Sequence, residues 1–264
     1  MILTVGAILT LLPFWVMLAT SLLGREQVFQ YPPDLFPWPL HFENYARLFD
    51  QIAMGTYFWN SVLVSALTTA GHVLFCAMAG YAFSRMQFPY KNAVFFIFLM
   101  TLMVPPQVNI VPLYFLMKLF GWVDRYEALI MPGLFGAFGV FLFRQWFNGF
   151  PKELEEAARM DGCNPLQTFW RVALPLATPA MAALAIFVFI GSWNSFMWPL
   201  IVTHSDNLRT LPVGISALKE SFRDVTDWTL LMAASTVSIL PVIGVFLLGQ
   251  RYFIQGILMG GVKE

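Results

Sequence analysis

Charge is what this chain of 264 residues has least of: Asp, Glu, Lys and Arg make up 11% of it, 15 basic against 15 acidic, where soluble domains carry about 25%. A soluble protein of this length could bury a large core, but it would still need a charged skin. Lipid is therefore the expected solvent. The zero net charge argues against a nucleic-acid partner held by counterion release. Only two cysteines occur, Cys76 and Cys163. One falls in an apolar stretch and the other in a polar segment, which argues against a disulfide framework, and without nearby histidines they do not make a zinc site. No Gly-x-x-x-x-Gly-Lys-Ser/Thr loop is present, so the chain has no cradle of its own for ATP phosphates. Paired acids or a histidine-rich cluster at membrane depth, which an intramembrane enzyme needs, are missing as well. His72 has no acid beside it in its apolar stretch, which counts against a proton-coupled carrier and reads as a neutral, hydrogen-bonded histidine facing other helices.

What is abundant is apolar length: 58% of the residues are hydrophobic and 17% aromatic. A helix rises about 1.5 Å per residue, so roughly 20 apolar residues cross a bilayer core. Stretches 2–23, 58–83, 93–117, 128–143, 180–202 and 230–249 qualify or nearly do, and none contains Asp, Glu, Lys or Arg. Arg144 extends the short fourth stretch to about 147 by snorkelling. Backbone groups find no water in hydrocarbon, and continuous apolar runs rather than alternation favour helices over a barrel. The expected fold is all-α transmembrane, one domain over 1–264 with six spans. The first stretch exceeds a signal-peptide core of about 7–15 residues and reads as a span; the lack of basic residues before it is compatible with a start lying upstream. Even spans put both termini on one side. Basic residues split eight against seven between the two sides, which leaves the side open. Prolines 105, 106, 112, 132 and 241 predict kinks.

Polar groups within spans have two readings, helix–helix glue or a solute pathway. Gln107 and Asn109 follow Pro105-Pro106, where a kink frees carbonyls. Trp193, Asn194 and Ser195 combine an aromatic face with hydrogen-bonding groups, the usual equipment for a sugar. Asn60 carries the same ambiguity.

Between the fourth and fifth stretches lies a polar segment. Pro151 suits a first helical position, Glu153, Glu155 and Glu156 favour the positive end of the helix dipole, and Arg159 comes later. Leu154, Ala157, Ala158 and Asp161 recur at helical spacing as a face of mostly small residues. Gly162 fits a left-handed position that ends the helix. Asn164-Pro165-Leu166-Gln167 restarts it as a capping box, and Leu166, Phe169, Trp170 and Ala173 form an apolar stripe. Pro175 and Pro179 are expected to stop this second helix. An interfacial linker accounts for the second helix; the acid-flanked small face of the first fits a docking element.

The spacing Glu-Ala-Ala, three residues, Gly, nine residues, aliphatic-x-Leu-Pro resembles the signature cytoplasmic loop of ABC importer permeases. Glu156, Ala157, Ala158, Gly162, Val172, Leu174 and Pro175 stand in those places, with Val172 where isoleucine is commoner. Tyr31-Pro32-Pro33-Asp34, Gly80-Tyr81-Ala82-Phe83-Ser84-Arg85, Val104-Pro105-Pro106-Gln107, Trp193-Asn194, Thr210-Leu211-Pro212-Val213-Gly214 and Gly260-Gly261-Val262-Lys263 are similar to the carbohydrate-uptake, maltose-permease-like branch, in its second, six-span subunit. The resemblance implies a six-helix bundle of the type I importer kind, with a cytoplasmic coupling helix-turn-helix between helices 4 and 5. Both termini would be cytoplasmic, in the inner membrane of a bacterium or archaeon. It implies that Glu155, Glu156, Ala157, Ala158, Asp161, Gly162, Leu174 and Pro175 couple the chain to a dimer of ATPase subunits, Glu156 facing a basic residue in their cleft. ATP and Mg would sit on those ATPases, with no cofactor on this chain. Further implied partners are a second homologous permease subunit and an extracytoplasmic solute-binding protein. The tail 250–264 would reach between the ATPases, or fray. Sugars, polyols and glycerol phosphates all fall within the resembled branch. The alternative, an ATP-independent carrier or channel, leaves the Glu-Ala-Ala helix unexplained.

Overall fold

The structure, a computed structural model, describes residues 2–32, 34–221 and 226–261, with side chains over 3–32, 34–218 and 226–251. The tail expectation therefore falls almost wholly outside the described side chains. Among the described residues all regular structure is helical, as apolar segments without water must be when every backbone group is satisfied internally. Three helices are long and apolar enough to cross a membrane singly: α1 (Ile2–Ser21), α3 (Met54–Arg85) and α14 (Trp228–Gly261). The other three candidates are bent pairs. Lys91–Met103 meets Pro106–Leu119 at 96°, Tyr126–Gly133 meets Ala137–Asn148 at 40°, and Pro165–Leu176 meets Thr178–Trp193 at 76°. The remaining helices are α2 (Glu43–Gln51), α4 (Lys91–Met100), α5 (Ile110–Leu119), α6 (Tyr126–Ile130), α7 (Ala137–Asn148), α8 (Lys152–Met160), α9 (Pro165–Thr168), α10 (Leu174–Leu176), α11 (Thr178–Trp193), α12 (Met197–Val202) and α13 (Leu211–Ser221).

The breaks are sharper than the kinks that the prolines predict. At Pro105-Pro106 the chain leaves α4 through one 3-10 turn and enters α5 through another, because two consecutive prolines remove two donors and push the preceding residue to extended backbone. Pro132 sits in the 3-10 turn Met131–Gly133. The fifth stretch is not one helix either: α11 ends at Trp193 and α12 begins at Met197. Pro199 cannot bond to the carbonyl of Ser195 and its ring would clash there. Pro241, by contrast, lies within an unbroken α14.

The chain divides into two compact units, Met1–Val62 with Ser195–Gly244, and Leu63–Asn194 with Val245–Glu264. In the first, Asn44 is buried and its amide donates to the carbonyls of Ser21 (3.0 Å) and Leu23 (2.9 Å), partners that the end of α1 lacks within its own helix. Asn60 donates to the carbonyls of Asn207 (2.8 Å) and Arg209 (2.9 Å), and Ser61 Oγ accepts from Leu211 N–H at 2.7 Å, at the start of α13. Asn60 thus acts as glue. Asp227 caps α14: its side chain, 4% exposed, accepts from Thr229 Oγ1 at 2.6 Å and Leu230 N–H at 3.3 Å, and from the guanidinium groups of Arg25 and Arg47. Burial alone would raise its carboxyl, but the bonds from Thr229, Arg47 and Leu230 and the Arg25 charge outweigh it and hold it below the ordinary 3.8.

The second unit has its core where α3, α7 and α11 pack: Val73, Cys76, Ala77, Tyr81, Val140, Phe143, Phe147 and Leu184 are buried together. Gly80 brings α3 against α7 so closely that a Cβ there would lie 2.4 Å from that of Phe143. His72 Nδ1 lies 2.7 Å from the carbonyl of Gly133; the carbonyl accepts, so this nitrogen carries the proton. The guanidinium of Arg144 lies 3.9 Å over the Phe95 ring and donates to Asn92 Oδ1 at 3.0 Å.

Candidate functional site

The polar segment folds as the helix α8, a turn, and a second helical run from α9 to α10. Pro151 stands as N-cap, one position before the expected place, with Glu153 and Glu155 in the first turn and Arg159 in the last. Asp161 is the C-cap. Gly162 follows with φ +81°, and the reach-back bonds Gly162 N–H to Arg159 O (3.0 Å) and Cys163 N–H to Ala158 O (2.9 Å) close a Schellman turn. The capping box is present: Gln167 N–H donates to Asn164 Oδ1 at 2.8 Å and Asn164 N–H to Gln167 Oε1 at 2.9 Å.

Where each side of α8 points is less obvious from spacing. Glu155 and Ala158, three residues apart, face inward and are buried; Leu154, Glu156, Ala157 and Asp161 are exposed. The expected small-residue face is thus split, with Ala158 packed into the chain and Ala157 presented outward beside Glu156. Phe169 and Ala173 are buried as the stripe requires, but Leu166 and Trp170 are exposed (57% and 44%) and Thr168 is buried. A π turn follows over Phe169–Ala173, in which Leu174 N–H reaches back to Phe169 O. The wider turn shifts the register ahead of Pro175, whose ring would otherwise meet the carbonyl of Arg171. The helix therefore runs through Pro175 to Leu176, and Pro179 lies in the first turn of α11, not at a stop. Pro175 is exposed and Leu174 half-buried.

Two connections fasten this loop to the core. Tyr81 of α3 packs its ring edge on Phe147 of α7 (5.4 Å, 85°) and against Phe169 (5.3 Å, 52°). Glu155 Oε1 lies 3.1 Å from Arg85 Nε, with side chains 7% and 9% exposed. That contact is one of charge more than of an aligned hydrogen bond, since neither atom finds a well-directed partner. Arg85 Nη2 also donates to the carbonyls of Phe147 (2.6 Å) and Phe150, at the end of α7. Sequence reasoning passed over this pair, because nothing in the spacing of α8 says that Glu155 faces the core while its neighbour Glu156 stays exposed. Ser84, Gln87, Lys91, Lys152, Glu156 and Arg159 line a groove beside it.

The polar residues of the spans lie on separate elements. Gln107 and Asn109 are exposed in the turn Pro106–Asn109. Trp193 ends α11 with 1% exposure, stacked on Phe189 (5.8 Å, 17°), so it presents packed core and not an open aromatic face. Asn194 is exposed and Ser195 half-buried. Among the described residues no three His, Cys, Asp or Glu side chains gather as a metal centre.

A family model described as the binding-protein-dependent transport system inner membrane component matches residues 72–259. The arabinooligosaccharides transport system permease protein AraQ of Bacillus subtilis (strain 168) is 36% identical, over 97% of this chain and 92% of that protein. The sn-glycerol-3-phosphate transport system permease protein UgpE of Yersinia enterocolitica is 33% identical over 97% of this chain and 93% of that one. A crystal structure of a bacterial ABC transporter involved in the import of the acidic polysaccharide alginate has a chain with 26% identity and a TM-score of 0.86, covering 96% of this chain and 94% of that one.

Proposed function

The chain belongs to the family of binding-protein-dependent transport system inner membrane components, and from that premise we propose that it forms half of the pore of an ATP-driven importer, opposite a second homologous permease. The observation that carries this reading is the division of α8: Glu155 and Ala158 root it in the core, while Glu156 and Ala157 are held outward on a rigid helix. Such a helix is a plug for a soluble partner. The partner is a pair of ATPase subunits, which bind ATP and Mg and perform hydrolysis; this chain binds no cofactor. α8 lies on the cytoplasmic side, so both termini do too, and a solute-binding protein docks on the opposite face.

Closure of the ATPases pulls on α8. Tyr81, Phe169 and the Arg85–Glu155 pair join α8 and the run that follows it to α3 and α7, so the pull moves helices and not a loose loop, and the pore alternates its access. The relatives act on arabinooligosaccharides and sn-glycerol-3-phosphate, and the structural neighbour imports alginate. A polyhydroxylated solute, sugar, polyol or glycerol phosphate, is the common class. Of the residues proposed for its pathway, Gln107, Asn109 and Asn194 are exposed, and Ser195 adjoins them in sequence. Trp193 would shape the site from behind.

The test is reconstitution. With a partner permease, ATPases and a binding protein in vesicles, the expected result is ATP-dependent uptake from a sugar panel, and none from this chain alone. Uptake by the chain alone would overturn the reading. Glu156→Lys is expected to lose the ATPases on co-purification, since a desolvated interfacial charge without its partner costs about 2–5 kcal/mol; intact, solute-stimulated ATPase in that variant would contradict it.

A further inference from the structure

Arg85 sits at the last residue of α3 and reaches Glu155 of α8 together with the carbonyls of Phe147, in the last turn of α7, and Phe150, just beyond it. Those carbonyls are ones that α7 cannot satisfy within itself. A guanidinium is suited to this: it is planar, permanently charged and carries five donors in a fixed fork, whereas an ammonium is a point charge on a flexible stem. Burial of both charges removes the screening that weakens surface pairs, so the pair holds the Glu155 side of α8 against the core, while the two bonds from Nη2 to the Phe147 and Phe150 carbonyls fix where the guanidinium sits.

We infer that Arg85 is a positioning residue for coupling: it aims α8 by its hold on Glu155, so that Glu156 alone of the two adjacent glutamates faces the ATPase. This rests on the reading of α8 as the coupling element. The inference separates two roles that adjacency in sequence confounds. Glu156 determines whether the ATPases bind; Arg85 and Glu155 determine whether their movement reaches α3 and α7.

The experiment uses the whole reconstituted importer and reads two quantities, ATPase retained on purification and solute taken up per ATP hydrolysed. Arg85→Lys keeps the charge and loses the fork. It is expected to retain the ATPases and their basal hydrolysis while uptake per ATP falls about tenfold, the scale of one charge-assisted hydrogen bond. Glu155→Gln, which keeps the shape and an accepting oxygen, is expected to fall by less, about threefold, and serves as the milder variant if Arg85→Lys yields no protein. Glu156→Gln is expected to show the reverse pattern, fewer ATPases retained but normal uptake per ATP in the complexes that survive. Wild-type uptake per ATP in both Arg85→Lys and Glu155→Gln would overturn the inference, and so would loss of the ATPases by Arg85→Lys matching that by Glu156→Gln. Failure of the coupling reading itself shows elsewhere, as absence of ATP-dependent uptake by the unaltered importer.

Discussion

Asp227 receives two guanidinium groups, from Arg25 and Arg47, whereas Glu155 receives one, from Arg85. The arginines at Asp227 are 55% and 32% exposed, so water solvates what the carboxylate does not. Arg85 is 9% exposed and its Nη2 donates to two backbone carbonyls. The Asp227 cluster holds the segment after α1 and the helix α2 to a helix start with redundant, partly solvated charge. The Arg85 cluster ties α8 to the end of α7 through one buried charge. The first arrangement tolerates loss of a cation; the second does not.

The comparison breaks most visibly at Arg85→Ala. Removing one partner of a buried pair leaves an uncompensated charge and costs about 3–5 kcal/mol, and the Phe147 and Phe150 carbonyls lose the bonds from Arg85 as well. Thermal unfolding in detergent should register that loss, and an unchanged midpoint would place Arg85 in contact with water. Asp227→Asn comes next, at about 2–3 kcal/mol, since a carboxylate accepting charge-assisted bonds is replaced by a neutral amide. Its signature is pH. The folded carboxyl lies below the ordinary 3.8, so its contribution is fully present above that value and fades as pH falls through the lower folded one. Stability of the unaltered chain should therefore drop in this limb below about pH 4, and the Asn variant should lack that limb.

The turn after α8 was legible from residue types alone, because Gly162, Asn164 and Gln167 act on their own neighbours within a few residues. The apolar stretches were legible too, since length and the absence of charge suffice for a helix in lipid. What spacing did not reveal is anything decided by a distant partner. Which of Glu155 and Glu156 turns to the core is not decided by α8 itself but by Arg85, 70 positions earlier. Leu166 and Trp170 belong to the same stripe as Phe169 by spacing, yet only Phe169 finds a partner in Tyr81 and is buried. The span breaks lie between these cases: Pro105-Pro106 announced a disturbance but not its angle of 96°.

Gly162→Ala tests the local part of the proposed coupling element without touching its charges. A Cβ at Gly162 meets nothing within 4 Å, so the cost is conformational only, about 1–2 kcal/mol for a left-handed φ. Faster amide exchange in 158–164, with Arg85 and Glu155 still protected, is the expected result. Were exchange to rise equally around Arg85, the turn and the ion pair would be a single cooperative structure and not two separate fastenings.

The smallest effect belongs to Arg25→Gln. Arg25 is more than half exposed, and Arg47, Thr229 and Leu230 continue to serve Asp227 when it is gone. Exposed pairs contribute about 0–1 kcal/mol, so the melting midpoint should move little and the shift should shrink further at high salt, where such pairs are screened. Arg47→Gln, which removes the less exposed partner and its bond to Asn44, should cost somewhat more, and the double variant more than the sum of the two. That excess measures redundancy directly: each arginine covers for the other, so neither single change exposes the full demand of Asp227. Strict additivity would mean that the two cations act independently, and the contrast with Arg85 would then be one of burial alone.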